Sequence, residues 1–147
     1  MPTIDVSFQD LAQLVGGHFT REDLEDSLHL VKGELKGEET DQLRIELQDT
    51  NRPDLWSPEG IARQIRCYRQ GRPAAYPFFD RAKTAALTIQ ADPALEKIRP
   101  FIGGFEVRGP AVTDASLKSL IQTQEKLSEN MGRKRAGLSM GIYRAEG

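Results

Sequence analysis

The chain opens on strict alternation, with Ile4, Val6 and Phe8 apolar and Thr3, Asp5 and Ser7 polar, the period-two pattern of a half-buried strand. Leu11, Leu14 and Val15 then switch to helical spacing, and Gly16-Gly17 stops that helix. Thr20 and Asp23 form a capping pair for a second helix carrying Leu24, Leu28 and Val31 on one face. Glu34–Gly37 and Leu43–Leu47 predict a hairpin, and Leu43, Ile45 and Leu47 mark the apolar face of its second arm. The acidic tip, Glu38 to Asp41, lacks the ordered ligand spacing of a calcium loop and reads as solvated. A third helix is predicted from Pro58 to about Arg69, with Ile61, Ile65 and Tyr68 buried and Arg63 and Arg66 facing out.

The stretch Gly71 to Phe79 is rich in turn formers and marks a boundary. Beyond it, strands are predicted over 86–90 and 101–108, the second holding Gly103-Gly104 as a bulge or a close backbone approach. The longest periodic element runs from Asp114 to Met131. Leu117, Leu120, Ile121, Leu127 and Met131 form its stripe, Gln124 interrupts it, and Lys118, Gln122, Lys126 and Glu129 face away. Gly132 closes this helix, and a further strand is predicted over 138–143. The expectation is an α+β fold: a small N-terminal helix/strand module over 1–72, a linker over 73–84, and a mixed-sheet region with one long helix over 85–147.

Between hairpin and third helix lies the most distinctive stretch, Asn51-Arg52-Pro53-Asp54-Leu55-Trp56-Ser57-Pro58-Glu59-Gly60. Pro53 fixes its own φ and pushes Arg52 out of the α region, while Asn51 and Asp54 suit a turn. Ser57 is placed to cap the helix, Pro58 sits where a missing N–H costs nothing, and Glu59 faces the positive end of the helix dipole. Read by physics, Asn51, Arg52, Pro53, Asp54, Ser57 and Pro58 make a structural junction.

Composition narrows the function classes. The 147 residues carry a net charge of −2, so no global field draws the chain to nucleic acid, and any RNA must meet a local patch. No apolar run approaches the roughly 20 residues needed to span a bilayer, and no secretory signal opens the chain. The single cysteine, Cys67, fits a reducing cytosol. His18 and His29 stand in no ligand pattern, and no phosphate loop or catalytic triad is spelled out. Arg133-Lys134-Arg135 is the one concentrated basic site, and Arg63, Arg66, Arg69 and Arg72 form a looser group. Each group suits phosphate contact or the negative C-terminal end of a neighbouring helix.

The Asn51–Arg63 junction resembles the Asn-Arg-Pro-Asp-Leu…Glu-Gly-Ile-Ala-Arg segment of the phenylalanyl-tRNA synthetase beta subunit. Met1–Val6, Lys97–Ile102, Leu120–Leu127, Arg133–Ala136 and Met140–Tyr143 are similar in order to the archaeal and eukaryotic-cytosolic form of that subunit. Ser128 and Arg144 depart from the His and Asp usual there. The resemblance implies the N-terminal portion of an aminoacyl-tRNA synthetase subunit, reaching only the opening of the editing-domain (B3-like) region over 85–147. It implies a cytoplasmic ligase that charges tRNA with phenylalanine in translation. ATP and magnesium would be its cofactors, and an alpha subunit its partner in an (alpha-beta)2 heterotetramer. It implies no catalytic, cofactor-binding or metal residue in this portion, which would serve subunit architecture and support editing, with tRNA backbone contact through Arg133, Lys134 and Arg135. A free-standing RNA-binding or trans-editing module for mischarged tRNA is the alternative.

Overall fold

The computed structural model describes residues 1–49, 51–76, 87–109 and 111–144. The opening alternation forms strand β1 (Thr3–Ser7), and the Ser7 hydroxyl accepts the Asp10 amide at 3.1 Å to start helix α1 (Phe8–Val15). Thr20 and Asp23 cap each other's backbone N–H and launch α2 (Arg21–Ser27), which tightens into a 3-10 turn at Leu28–Val31. The hairpin follows as β2 (Gly33–Glu39) and β3 (Gln42–Leu47), giving an antiparallel sheet of order β1-β3-β2.

Register decides the core. Ile4 lies opposite Ile45 and Val6 opposite Leu43, so the apolar members of both strands share one face. Those four residues and Leu47 are buried together with Leu11, Val15, Leu24, Val31, Ile61 and Ile65 from the helices above. Helix α3 (Pro58–Gln70) packs on α1 within this layer. The polar face of the sheet carries the Arg44–Asp5 ion pair at 2.9 Å. Burial of Tyr68, expected from the helical stripe, does not occur. Tyr68 is 66% exposed because the covered face of α3 ends at Ile65.

The acidic hairpin tip is more than a solvated loop. The Asp41 carboxylate accepts from the Ser7 hydroxyl at 2.6 Å and the Gln9 amide at 3.0 Å, and its carbonyl accepts the Phe8 amide at 2.8 Å. The hairpin thereby satisfies the free N–H groups at the start of α1. Beside it, Arg21 pairs with Glu38 and lies 4.7 Å from the Phe8 ring centroid. Phe8 stacks on Phe19, over which Arg69 sits at 5.5 Å, so a cation lies on each outer side of a stacked ring pair.

Two compact units divide the described residues: 1–74 with 112–143, and a second drawn from 75–111 with Arg144. The long helix α4 (Asp114–Lys126), continued by a π-helical turn at Leu127–Met131, therefore groups with the N-terminal strands and helices and not with the segment before it. It docks by polar residues. Gln122, expected to face away, accepts the Asp5 amide at 2.8 Å and donates to the Asp5 carbonyl at 3.2 Å, completing the free edge of β1. Buried Ser119 donates to the Glu59 carboxylate, 2.8 and 2.7 Å from its two oxygens. Most of the apolar stripe points elsewhere, with Leu117 42% and Ile121 45% exposed, while Leu127 at its C-terminal end packs against the core. Periodicity shows that a helix has two faces, but not which one docks.

Described residues 87–90, 101–108 and 138–143 form no strand, so the expected mixed sheet is not found there; Ala86 lies outside the described residues. A strand needs a ladder partner for its N–H and C=O groups, and these segments have none among the described residues. Phe101, at 93% exposure, shows the result for the side chains. In the second unit, Asp92 caps a 3-10 turn at Pro93–Leu95. Linker positions 77–84, with Phe78 and Phe79, lie outside the described residues.

Gln122→Ala leaves the outer N–H and C=O of Asp5 open to water. The expected result is amide hydrogen exchange about fivefold faster at Asp5, matching a net hydrogen bond of roughly 1 kcal/mol, with core amides such as Ile45 unchanged.

Candidate functional site

The junction is built by a 3-10 turn at Pro53–Leu55, closed by Leu55 N–H to the Arg52 carbonyl at 3.0 Å and Trp56 N–H to the Pro53 carbonyl at 3.2 Å. Ser57 caps α3 by accepting the Gly60 amide at 3.2 Å, and Pro58 takes the first helical position. Arg52 grips the Asp54 carboxylate with two donors, each at 2.9 Å, and Arg63, one turn into α3, reaches the same carboxylate at 2.8 Å. Leu55 and Trp56 are buried in the core behind them.

Gly60 matters more than the sequence pattern suggested. A Cβ on Gly60 would overlap the Asp54 carbonyl oxygen and crowd the Leu55 Cα, so turn and helix meet in a gap only glycine fits. The Glu-Gly dipeptide in the motif is the visible signal of that contact.

Hydrogen bonds from Arg52 hold the Asp54 carboxyl below its usual 3.8; burial opposes them, and the charges of Arg52 and Arg63 add to the lowering. A carboxyl depressed in the folded state contributes stability above its unfolded pKa, and that contribution is lost as pH falls through the folded value.

The looser basic group is structural in this fold. Arg63 is held by Asp54, Arg66 donates to the Leu14 carbonyl in the last turn of α1 at 3.3 Å, and Arg69 donates to the His18 carbonyl at 3.0 Å. Arg72 lies near Gln70. His29 is exposed, and Cys67 is half-buried on α3. Among the described residues no group of three or more His, Cys, Asp or Glu side chains is placed to hold a metal ion.

Arg133, Lys134 and Arg135 behave differently. All three adopt the left-handed conformation, with φ of 51°, 56° and 66°. Their amides fold back on the helix end: Arg133 N–H reaches the Asn130 carbonyl at 3.4 Å, Lys134 N–H the Glu129 carbonyl at 2.9 Å, and Arg135 N–H the Ser128 carbonyl at 2.8 Å. Gly132 opens the turn, and a Cβ on it would overlap the carbonyl oxygens of Ser128 and Leu138. Ser128 is fully buried at this point. The backbone of the triplet thus caps the helix while its side chains stay exposed. Arg135 lies 3.5 Å from Glu129, and neither Arg133 nor Lys134 enters an ion pair among the described residues.

Junction and basic turn are neighbours. Asn51, Pro53 and Trp56 on one side and Asn130 and Met131 on the other line a cleft of about 290 Å³ that ends where the basic turn begins.

An α+β module that aims a helix from an Asn-Arg-Pro-Asp turn and ends a second helix in a basic turn fits part of an aminoacyl-tRNA synthetase subunit, and its relatives are such subunits. The chain is 39% identical over 148 residues to the phenylalanine–tRNA ligase beta subunit of Borreliella afzelii, covering 97% of this chain and 26% of that protein. It is 48% identical over 111 residues to that of Treponema pallidum, covering 71% of this chain and 18% of that protein. The crystal structure of an N-terminal fragment of the Pyrococcus horikoshii phenylalanyl-tRNA synthetase beta subunit matches with a TM-score of 0.72 at 35% identity, over 91% of this chain and 39% of that one. No protein-family model matches. The chain belongs to the phenylalanine–tRNA ligase beta subunit family, as its N-terminal portion, and spans about a quarter of the length of the curated relatives it matches.

Two variants check the junction. Gly60→Ala should cost about 3 kcal/mol and lower Tm by roughly 10 °C in a thermal melt, because the clash is with backbone. Asp54→Asn should cost about 1 kcal/mol at neutral pH, as befits a pair more than one-third exposed. In denaturant titrations its gap from the parent should close as pH falls below 3.8.

Proposed function

We propose that this chain works as the N-terminal portion of the beta subunit in a phenylalanine–tRNA ligase, supporting the subunit architecture and holding the opening of the editing region, with no catalytic residue of its own. Ordered resemblance to the archaeal and eukaryotic-cytosolic form and the Pyrococcus horikoshii match support that form of the enzyme. In this reading, charging of tRNA with phenylalanine, with its ATP and magnesium, belongs to parts outside this chain. The partners are an alpha subunit in an (alpha-beta)2 assembly and tRNA, and the compartment is the cytoplasm. Among the described residues no helix is long and apolar enough to cross a membrane.

The chain's own contact with tRNA is through the backbone phosphates, at Arg133, Lys134 and Arg135. The observation that carries it is the left-handed turn. A non-glycine residue in that conformation costs about 1–2 kcal/mol, so glycine or asparagine suits positions 133–135 best, yet the chain places three cations there. Where side-chain identity runs against backbone preference, the side chain carries the function.

The double variant Arg133→Gly/Lys134→Gly separates this role from helix capping. Its Tm should be no lower than the parent's, since glycine relieves the backbone. Its affinity for phenylalanine-specific tRNA should fall, and the slope of log K against log salt should flatten by about two, one for each phosphate that is no longer neutralised. An unchanged slope in fluorescence anisotropy titrations would refute the contact.

A further inference from the structure

The cleft between junction and basic turn has a make-up that neither capping nor subunit architecture explains. Its walls are apolar, from Pro53, the buried Trp56 and Met131, and each side carries one amide, Asn51 and Asn130. Both asparagines are exposed, and neither side-chain amide has a hydrogen-bond partner among the described residues. An apolar slot lined by two asparagines suits a planar heterocycle, since an amide presents a donor and an acceptor to a base edge while flat or adaptable side chains meet its faces. At about 290 Å³ the cleft lies at the lower end of small-ligand sites, so it suits one base and not a larger group.

Position narrows the ligand further. The chain passes directly from Asn130 and Met131 through Gly132 into Arg133 and Lys134. A phosphate held by those side chains would bring the base of the same or the next nucleotide to the cleft mouth. We propose that the cleft receives one unpaired nucleotide of an RNA strand whose backbone lies on the Arg133–Arg135 turn. This rests on the reading of that turn as an RNA contact and adds to it a preference for single-stranded over duplex RNA. A duplex keeps its bases stacked inward and cannot fill the slot, whereas a loop or an end can splay one out.

The 147-residue chain is titrated with a short single-stranded RNA and with the duplex of the same sequence, at low salt. The single strand should bind about tenfold more tightly. Asn51→Ala/Asn130→Ala, both exposed positions, should abolish that preference while leaving the salt slope unchanged. Arg133→Gly/Lys134→Gly should weaken both RNAs and flatten the slope. Equal affinity of the parent for both RNAs overturns the cleft, as does a preference that survives removal of both asparagines. In either case a response of the slope to the triplet variant leaves the phosphate contact standing. No binding of either RNA removes both. A free mononucleotide that competes as well as the strand also overturns the proposal, since the site would then need no backbone.

Discussion

The Asp54 carbonyl oxygen occupies the space that a Cβ at position 60 would need, and the placement of helix α3 depends on that contact. Because the turn and the helix touch backbone to backbone, Leu55 and Trp56 are drawn into the core and Arg63 comes within reach of the Asp54 carboxylate. The same closeness sets one wall of the cleft. Ion pairs among Arg52, Asp54 and Arg63 hold the turn at that distance, but they are partly exposed and worth little beside the steric demand. The junction is therefore specified chiefly by an absence, the missing methyl group of a glycine.

Helix α4 shows how polar contacts can place an element whose amphipathic pattern points elsewhere. Ser119 and Gln122 fasten it to Glu59 and Asp5, residues from the start of α3 and the middle of β1. Neither bond is strong alone. Together they fix the helix against two elements distant in sequence, and Leu117 and Ile121 remain exposed.

Much of the N-terminal unit could be read from sequence because its signals are local and agree with one another. Alternation in 3–8 and 43–47, the Thr20–Asp23 cap and the Ser57-Pro58 start all recur in the structure near their expected positions. The failures share a cause: each needed a partner that spacing does not name. Tyr68 satisfies the helical stripe but extends past the covered face, and Phe101 and Ile102 have strand character without a ladder. At the candidate site, the junction and the triplet were both visible as motifs. Their meeting at one cleft was not, since 77 positions separate Pro53 from Asn130 and only the docking of α4 brings them together. The left-handed backbone of Arg133–Arg135 was equally hidden, as nothing in those residue types asks for it.

The two edges of the sheet are guarded by different means. Strand β2 carries Glu34, Lys36, Glu38 and Glu39 and a bulge between Leu35 and Gly37, features that discourage any neighbour. Strand β1 has the plainer edge, and there the Gln122 amide imitates one peptide unit of a fourth strand. Helix α4 thus serves its own chain as a stopper. A molecule cut between residues 74 and 112 and stripped of that helix would offer β1 as a template, and two such molecules could join their sheets edge to edge.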